Sequence, residues 1–287
     1  MGSSIFRDDL FEGKVCLVTG GGTGIGAAIA RELGRGGAKV IIASRKASNI
    51  EPAAEGLSEE LGRTVQGHTV DIRDRDSVQT LVDTILAEHG RIDVLVNNGG
   101  GQFFSPAEGI SPRGWDAVIA TNLTGTWNMI STVASAWMLQ HGGTILNITM
   151  LTRRTFPGMA HSVAARSGVE ALTRTLSVEW AQRGIRINCI APGLVASSGL
   201  RRYPESLGVM DQMMKFVPLK RPASCEEIAW TVAFLASPAG AYVTGQTWTV
   251  DGGKELWGDW WPIPDPPDMA PVRVPREPWE SDEDDPS

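Results

Sequence analysis

Residues 14–26 read KVCLVTGGGTGIG and continue directly into AAIARELGRGG, and this stretch decides the fold. Val15, Leu17 and Val18 are typical of a buried parallel strand, and the apolar spacing after Gly26 predicts the inner face of a helix. The glycines permit a tight turn and let a pyrophosphate approach the unpaired amide groups at the start of that helix. A strand, a glycine turn and a helix in this order predict a nucleotide site, the alternative being a glycine-rich turn without a ligand.

Composition and charge exclude several classes of protein. The 287 residues carry a net charge of −7 and their basic residues occur only in small pairs, which argues against a nucleic-acid partner. No run of about eighteen apolar residues occurs and the N-terminus does not resemble a leader, so we expect no membrane span and a cytoplasmic protein. Cys16, Cys189 and Cys225 are isolated in the sequence, which predicts buried free thiols and no metal site.

The rest of the chain alternates strands with helices. Apolar runs predict further strands at residues 39–44, 64–70, 92–96, 144–148, 185–190 and 246–250. Helical spacing predicts a helix capped by Asp76 and Ser77, and helices over residues 114–141, 162–182 and 226–235. Seven strands alternating with helices predict an α/β fold with one parallel sheet, covered on both faces, that binds ligands at the carboxyl ends of its strands. The insertion at residues 194–222 follows the sixth strand and predicts a substrate lid.

The end of the second strand carries information about the cofactor. Ser44 and Arg45 stand where an acidic residue would hold the ribose 2′-hydroxyl of NAD, whereas a hydroxyl and a guanidinium suit the 2′-phosphate of NADP. Asp71, at the end of the third strand, can accept a hydrogen bond from an adenine amino group. The pattern favours NADP, the alternative being that Arg45 is a solvated charge.

The composition changes abruptly at Trp257. Eight of the seventeen prolines and four of the ten tryptophans lie in residues 257–287, which end in an acidic run. We therefore divide the chain into a domain at residues 1–256 and a C-terminal extension at residues 257–287. Because proline disfavours helices and central strands while exposed tryptophan is costly, we expect the Trp-rich part to pack on folded surface, on a neighbouring subunit, and the acidic end to be loose.

Several motifs occur in a fixed order over residues 13–253: TGGGTGIG, NNGG, TNLTG, IRINCIAPG and VTGQTWTVDGG. With these motifs the chain resembles the short-chain dehydrogenase/reductase family. Within that family, NNGGGQF and HSVAARSGV are most similar to the peroxisomal trans-2-enoyl-CoA reductase group and to bacterial citronellol/citronellal dehydrogenase-like proteins. The resemblance implies a single Rossmann-type, doubly wound sheet, hydride transfer to or from a nicotinamide, a small hydrophobic or acyl-CoA substrate, and a homotetramer.

The resemblance also implies a set of cofactor-binding residues. The glycine turn would cradle the pyrophosphate, the residues after the second and third strands would meet the adenosine part, and the loops after the fourth and sixth strands would line the nicotinamide. The set comprises Gly20, Thr23, Gly24, Ile25, Gly26, Ser44, Arg45, Asp71, Ile72, Asn98, Gly99, Gly100, Arg166, Pro192 and Gly193.

The catalytic signature departs from the family pattern. The family places Tyr four residues before Lys ahead of the sixth strand, and here Ser162 and Arg166 occupy these two positions. Asn122 of the TN motif is retained, and Thr149 is the nearest hydroxyl after the fifth strand. Tyr203, in the lid, is the remaining candidate for a catalytic phenol, although it can equally anchor the lid. These five residues are the catalytic candidates.

The missing tyrosine affects some reactions more than others. Reduction of a ketone builds an alkoxide, for which a positioned acid is worth roughly 100- to 10,000-fold. Reduction of an enoyl thioester builds an enolate, which hydrogen-bond donors stabilise while water supplies the proton. We therefore expect an NADP(H)-dependent reductase of an enoyl-CoA or a related hydrophobic enoyl or carbonyl substrate. The alternatives are a terpenoid alcohol or aldehyde dehydrogenase and a non-catalytic NADP-binding module.

Arg153, Arg154 and His161 allow two interpretations each, whereas the chemistry of a fourth side chain, Arg166, is limited. Arg153 and Arg154 can meet the phosphates of coenzyme A or form a solvated loop pair. His161, beside Ser162, can take part in catalysis or simply pack as an imidazole. Arg166 can donate to the ribose hydroxyls of the nicotinamide, but a guanidinium is effectively never deprotonated and cannot relay protons as a lysine does.

Overall fold

Parallel strands form one sheet in the order β3-β2-β1-β4-β5-β6-β7. The computed structural model that contains them describes residues 5–199, 213–257, 262–267 and 277–280. The strands are β1 (Val15–Thr19), β2 (Lys39–Ser44), β3 (Val65–Thr69), β4 (Val94–Asn97), β5 (Gly143–Ile148), β6 (Ile185–Pro192) and β7 (Thr247–Val250). The seven-stranded parallel sheet predicted from the sequence is confirmed.

Helices connect the strands on both sides of the sheet. They are α1 (Gly24–Arg35), α2 (Ala47–Leu61), α3 (Arg75–His89), α4 (Pro112–Ile119), α5 (Gly125–Val133), α6 (Leu139–His141), α7 (Ala160–Glu179) and α8 (Cys225–Ala236). No helix in the described ranges is both long and apolar enough to cross a bilayer. The sequence patterns did not predict α2, because Pro52 and Gly56 both disfavour a helix interior. Tertiary packing outweighs that preference, since α2 buries Ile50 and Leu57 against the sheet.

Alternate side chains of each central strand enter two separate apolar layers. In β1, Cys16 and Val18 face the layer that α1, α2 and α8 cover, whereas Val15 and Leu17 face the layer formed with α3, α5 and α7. Because both faces are covered, the strands are apolar throughout rather than alternating. All three cysteines are free and buried, as predicted, and burial raises the pKa of the Cys189 and Cys225 thiols to about 12.

The start of α3 differs from the prediction. Asp74 is the N-cap, and its carboxylate accepts a hydrogen bond from the backbone N–H of Asp76 at 3.0 Å. Ser77 accepts instead from the backbone N–H of Asp71 at 3.1 Å, so its hydroxyl fastens the end of the third strand to this helix.

The connection between β4 and β5 consists of a loop at residues 98–111 followed by one long helix with two wider turns. α4 continues through a π turn (Ala120–Thr124) into α5, and a second π turn (Ala134–Met138) leads to α6. Such wide turns are frequent at functional sites because they redirect side chains. The first of them carries Asn122.

Candidate active site

The glycine turn between β1 and α1 leaves no room for a side chain at Gly26. A Cβ added at Gly26 would lie 2.0 Å from the carbonyl oxygen of Gly20 and 2.6 Å from Nδ2 of Asn98. Gly20 and Gly24 have φ values of 64° and 52°, which glycine adopts most easily. The turn therefore brings the bare start of α1, with Thr23 as its N-cap, to the carboxyl edge of the sheet, where amide groups can bind phosphate.

Asn98 ties the loop after β4 to the glycine turn. Its Nδ2 donates to the carbonyls of Thr19 at 3.1 Å and Gly20 at 3.0 Å. In return, the Thr19 hydroxyl accepts from the backbone N–H groups of Asn98 at 3.1 Å and Gly99 at 2.9 Å. The side chain of Asn98 thus fixes the loop after β4 to the glycine turn.

Two guanidinium groups surround the carboxylate of Asp71. Arg73 donates to it through Nε at 2.9 Å and through its backbone N–H at 3.0 Å. These bonds lower the pKa of Asp71, and the charge of Arg45 contributes to the same shift. Arg45 is exposed at the end of β2, Ser44 is half-buried before it, and Ile72 is buried next to Asp71. Arg73 was not among the predicted cofactor residues, although it follows Asp71 and Ile72 directly in the sequence.

Asn122 and Arg166 meet beside the loop that follows β4. The Asn122 amide donates to the Gly101 carbonyl at 2.7 Å, and its oxygen accepts from the Gly101 N–H at 3.1 Å and from Nη2 of Arg166 at 3.3 Å. A Cβ at Gly100 would lie 2.6 Å from that oxygen and 3.0 Å from Nη2. The glycine at position 100 is therefore what lets the loop pass these two side chains.

The end of β5 holds Arg166 from the other side. Its Nη1 donates to the carbonyls of Ile148 at 2.9 Å and Thr149 at 3.3 Å. A guanidinium stays protonated in proteins, so the site has a fixed positive charge in a fixed orientation. This charge can stabilise a developing anion or hold hydroxyl groups, but it cannot transfer protons.

Ser162 lies one helical turn before Arg166 on α7 and is fully buried. Its hydroxyl donates to Oε1 of Gln102 at 2.6 Å and lies 3.5 Å from the sulfur of Met150. Sequence reasoning missed both partners. Two features of the sequence could have indicated these contacts: Gln102 is a polar residue within NNGGGQF, and Met150 closely follows the fifth strand. Neither residue has a titratable side chain, so neither stood out as a catalytic candidate.

Thr149 lies apart from Ser162 in the hydrogen-bond network. Its hydroxyl donates to Glu170 at 3.4 Å and to the Ile190 carbonyl at 3.3 Å. Glu170 also accepts from Thr152 at 3.1 Å, and burial raises the pKa of its carboxyl group. Because successive side chains of extended backbone point to opposite sides, the residue that meets Ser162 is Met150 rather than Thr149.

His161 is buried and its ring is oriented by two contacts. Nδ1 lies 2.7 Å from the backbone nitrogen of Ser162, whose N–H donates to it. The ring meets Phe103 edge-on with centroids 4.4 Å apart, and burial lowers its pKa. Nε2 has no hydrogen-bond partner within the residues that the structure describes.

The loop after β6 reaches the glycine turn. A Cβ at Gly193 would lie 2.7 Å from the Cα of Asp251, so Pro192 and Gly193 lead the chain closely past the end of β7. A Cβ at Gly24 would lie 3.0 Å from Oγ of Ser198. The described beginning of the predicted lid thus lies next to Gly24 and the first turn of α1, which contains Ile25.

Of the two tyrosines, Tyr242 lies within the described residues and Tyr203 does not. Tyr203 lies outside the described residues, so its role stays a prediction. Tyr242 is fully exposed and precedes β7, at the amino edge of the sheet, opposite the edge where Ser162 and Arg166 lie. Tyr242 therefore supplies no phenol to the site.

A parallel sheet with a glycine turn after β1 and polar side chains at the neighbouring strand ends is typical of a dinucleotide-binding protein of Rossmann type. The family profile described as Enoyl-(Acyl carrier protein) reductase matches residues 20–255. The chain belongs to the short-chain dehydrogenase/reductase family, which confirms the resemblance drawn from its motifs.

Individual relatives are similar over most of the chain. Peroxisomal 2,4-dienoyl-CoA reductase of Danio rerio is 37% identical over 254 residues, which cover 88% of this chain and 85% of that one. The structure of a citronellol catabolism dehydrogenase from Pseudomonas aeruginosa has 42% identity and a TM-score of 0.79, over 88% of this chain and 99% of that one. A variant of actinorhodin polyketide ketoreductase, solved with NADPH, has 31% identity and a TM-score of 0.80, over 85% and 98% respectively.

Proposed function

We propose that the protein uses NADP(H) to reduce an unsaturated acyl thioester, an enoyl- or dienoyl-coenzyme A. The observation that carries the proposal is the position of Ser162, whose hydroxyl is held by Gln102 beside the fixed charge of Arg166. By the motif resemblance, Ser162 stands at the position of the family's tyrosine. This arrangement offers hydrogen-bond donors without a titratable acid. The peroxisomal 2,4-dienoyl-CoA reductases among the relatives support the same substrate class.

The residues at the β1–α1 turn fit a dinucleotide. Gly26 and Gly20 approach so closely that only bare backbone remains to face the phosphates, and Arg166 lies where it can hold ribose hydroxyls. A bound reduced nicotinamide supplies the hydride. The residues of this chain would orient the substrate and stabilise the negative charge that develops on it.

The reaction builds negative charge on the thioester oxygen. When the β-carbon of an enoyl thioester accepts hydride, the electrons of the double bond move to the carbonyl as an enolate, and a water proton at the α-carbon completes the reduction. The Ser162 hydroxyl would exchange Gln102 for this oxygen as its acceptor, and the nearby Arg166 charge would stabilise the enolate. No group with a pKa near neutrality is required at the oxygen.

Ser162→Ala tests this role. We expect turnover to fall roughly 100- to 1000-fold, the usual effect of removing one oxyanion donor, with NADPH affinity unchanged. Thr175→Ala is the matched control, since Thr175 is an exposed hydroxyl on the same helix that donates to the Ala171 carbonyl. Equal turnover of the two variants would show that Ser162 does not stabilise the reacting oxygen.

A substrate screen tests the proposed reaction itself. NADPH oxidation would be followed with 2-enoyl-CoA, 2,4-dienoyl-CoA, a ketone, an aldehyde and citronellal. We expect turnover with the thioesters, and a clear preference for the ketone would contradict the proposal. The second candidate function, a terpenoid alcohol or aldehyde dehydrogenase, is favoured by the similarity to the citronellol catabolism dehydrogenase, and citronellal as the best substrate would select it. Tight NADPH binding without any turnover would favour the non-catalytic module.

The preference for NADP rests on the charges at the end of β2. Arg45 is exposed beside Asp71 and Arg73, so a 2′-phosphate would meet two guanidinium groups. One charge-assisted bond corresponds to about ten- to a hundredfold in affinity. Arg45→Ala should weaken NADPH by this factor and leave NADH nearly unchanged, while Arg63→Ala, an exposed control before β3, should affect neither. Equal losses for both dinucleotides would contradict the assignment.

Three broader predictions accompany this function. We propose that residues 1–256 form the catalytic domain, that the protein is a homotetramer, and that it resides in the cytoplasm. The strong sequence similarity along residues 20–255 supports the first. Sedimentation of the full chain and fractionation of the cell in which it is made test the others.

A further inference from the structure

Residues 277–280, near the end of the chain, form a compact turn on the outside of the cofactor half. The backbone N–H of Glu277 donates to the carboxylate of Glu280 at 2.9 Å, and the N–H of Glu280 donates to the Glu277 carbonyl at 3.1 Å. We call this segment the C-terminal turn. It contacts the same chain, on α1 and α2, whereas packing on a neighbouring subunit stays a prediction for the rest of the extension.

Trp279 joins the C-terminal turn to the glycine turn. Its indole N–H donates to the carbonyl of Gly22 at 2.9 Å. Its ring lies on α2, where a Cβ at Gly56 would come within 2.2 Å of a ring carbon. The glycine that weakens the sequence pattern of α2 therefore makes the space that Trp279 fills.

Glu277 adds an ionic contact to the same place. Its carboxylate pairs with Nη2 of Arg31 at 2.8 Å, and Nε of the same guanidinium pairs with Glu60 at 2.8 Å. The Arg31 side chain is only 11% exposed and that of Glu277 20% exposed, so solvent screens the pair weakly. The C-terminal turn is thus fastened to both α1 and α2, the two helices that flank the glycine turn.

The hydrogen bond to the Gly22 carbonyl also fixes the direction of the N–H of Thr23, which lies on the opposite side of the same peptide. The peptide between Gly22 and Thr23 is trans, so its N–H points away from its carbonyl. With the carbonyl directed at Trp279, the N–H of Thr23 is directed away from the C-terminal turn. Thr23 is the N-cap of α1, and the N–H groups at a helix start are the ones that bind phosphate.

We propose that Glu277 and Trp279 are positioning residues of the dinucleotide site, which orient the pyrophosphate-binding turn through the carbonyl of Gly22. This inference rests on the dinucleotide in the proposed function but not on the choice between NADP and NAD. The pyrophosphate is common to both dinucleotides, so the C-terminal turn acts on them equally. In this respect the C-terminal turn differs from Arg45, which would contact only the 2′-phosphate and therefore only NADP.

The test is a titration of the full-length protein with NADPH and with NADH. Trp279→Phe keeps an aromatic ring against α2 but removes the N–H donor. We expect both dinucleotides to bind about three- to tenfold more weakly, the worth of one hydrogen bond. Trp248→Phe, in β7 at the far edge of the sheet, is the matched control and should bind both as the wild type does. Unchanged affinities for Trp279→Phe, or a loss confined to NADPH, would overturn the inference.

Hydrogen exchange supplies a readout that needs no variant. Because coupling between two sites is reciprocal, NADPH binding should slow amide exchange in residues 277–280 of the wild type. A turn that only stabilises the fold would exchange at the same rate with and without NADPH, and that result would overturn the inference. If the wild type binds neither dinucleotide, the proposed function fails as well. If it binds them and either test of the C-terminal turn is negative, only this inference fails.

Discussion

Gly100→Ala should disrupt the active site although it removes no functional side chain. Its Cβ would lie 2.6 Å from Oδ1 of Asn122 and 3.0 Å from Nη2 of Arg166, whereas a Cβ at Gly101 has no atom within 4 Å. Neither glycine has the left-handed backbone that disfavours alanine. The two variants are therefore matched in chemistry and in sequence position, and they differ only in the space that the new methyl group finds.

The size of the effect follows from how firmly Asn122 is held. Its oxygen must retreat by at least 0.4 Å, from 2.6 Å to the 3.0 Å below which real Cβ contacts essentially do not occur. The amide cannot rotate freely, because it is 3% exposed and bonded to Gly101 and to the Val118 carbonyl. Its 3.3 Å bond from Arg166 would break first. Overpacking of this kind costs about 1 to 3 kcal/mol, and a displacement of about 1 Å in an active site lowers turnover roughly 100-fold.

Thermal melting and turnover measure the two parts of this prediction. At about 2 to 4 °C per kcal/mol, the melting temperature of Gly100→Ala should fall by about 2 to 12 °C, and its turnover on the thioester by about 10- to 100-fold. Gly101→Ala should stay within about 1 °C and about twofold of the wild type, as surface changes do. If both variants melt and turn over alike, the loop has room that the structure does not show and the reasoning is wrong.

Two further predictions concern the fold. Gly26→Ala should abolish measurable NADPH binding, because its Cβ would lie 2.0 Å from the Gly20 carbonyl oxygen. Gly22→Ala should retain binding in the same titration, because the nearest atom to its Cβ would be 3.4 Å away. Similar affinities of the two variants would contradict the close approach. For Asp93, burial alone would raise the pKa, but bonds from Arg91 and from a β1 backbone N–H outweigh burial and lower it. Asp93→Asn should therefore lower the free energy of unfolding by about 2 kcal/mol at pH 7. In urea unfolding, the difference between variant and wild type should shrink as the pH falls below about 4, the ordinary carboxyl pKa, toward the lowered pKa of the folded protein. A constant difference down to about pH 3 would argue against the lowered pKa.

The sheet was readable from the sequence because its signals are local. β2 was predicted at its observed bounds, and the other strands within about two residues, since each is a short apolar run between turn residues. The position of the glycine turn follows for the same reason. The helix α2 was missed because its interior contains Pro52 and Gly56, and the reason for Gly56 lies more than 200 residues away at Trp279.

The candidate site was only partly readable, because its contacts are made by folding. Asn122, Ser162 and Arg166 could be singled out by position in motifs, and the structure brings Asn122 and Arg166 into contact. Gln102, the actual acceptor for Ser162, lies 60 residues away in the sequence and its amide gives no titration signal. The direction of the Thr149 hydroxyl toward Glu170 likewise depends on how α7 packs against the end of β5.

The hydrogen bond from Trp279 to Gly22 also bears on how the protein is made. It joins residues 257 positions apart, one near each end of the chain. A ribosome releases the first strands long before the last residues, and early segments begin to fold during synthesis. The glycine turn thus emerges early and acquires its partner only after residue 279 has been made. A shortened chain released before residue 279 would retain every glycine of the phosphate site and still lack the indole that orients one of its peptides.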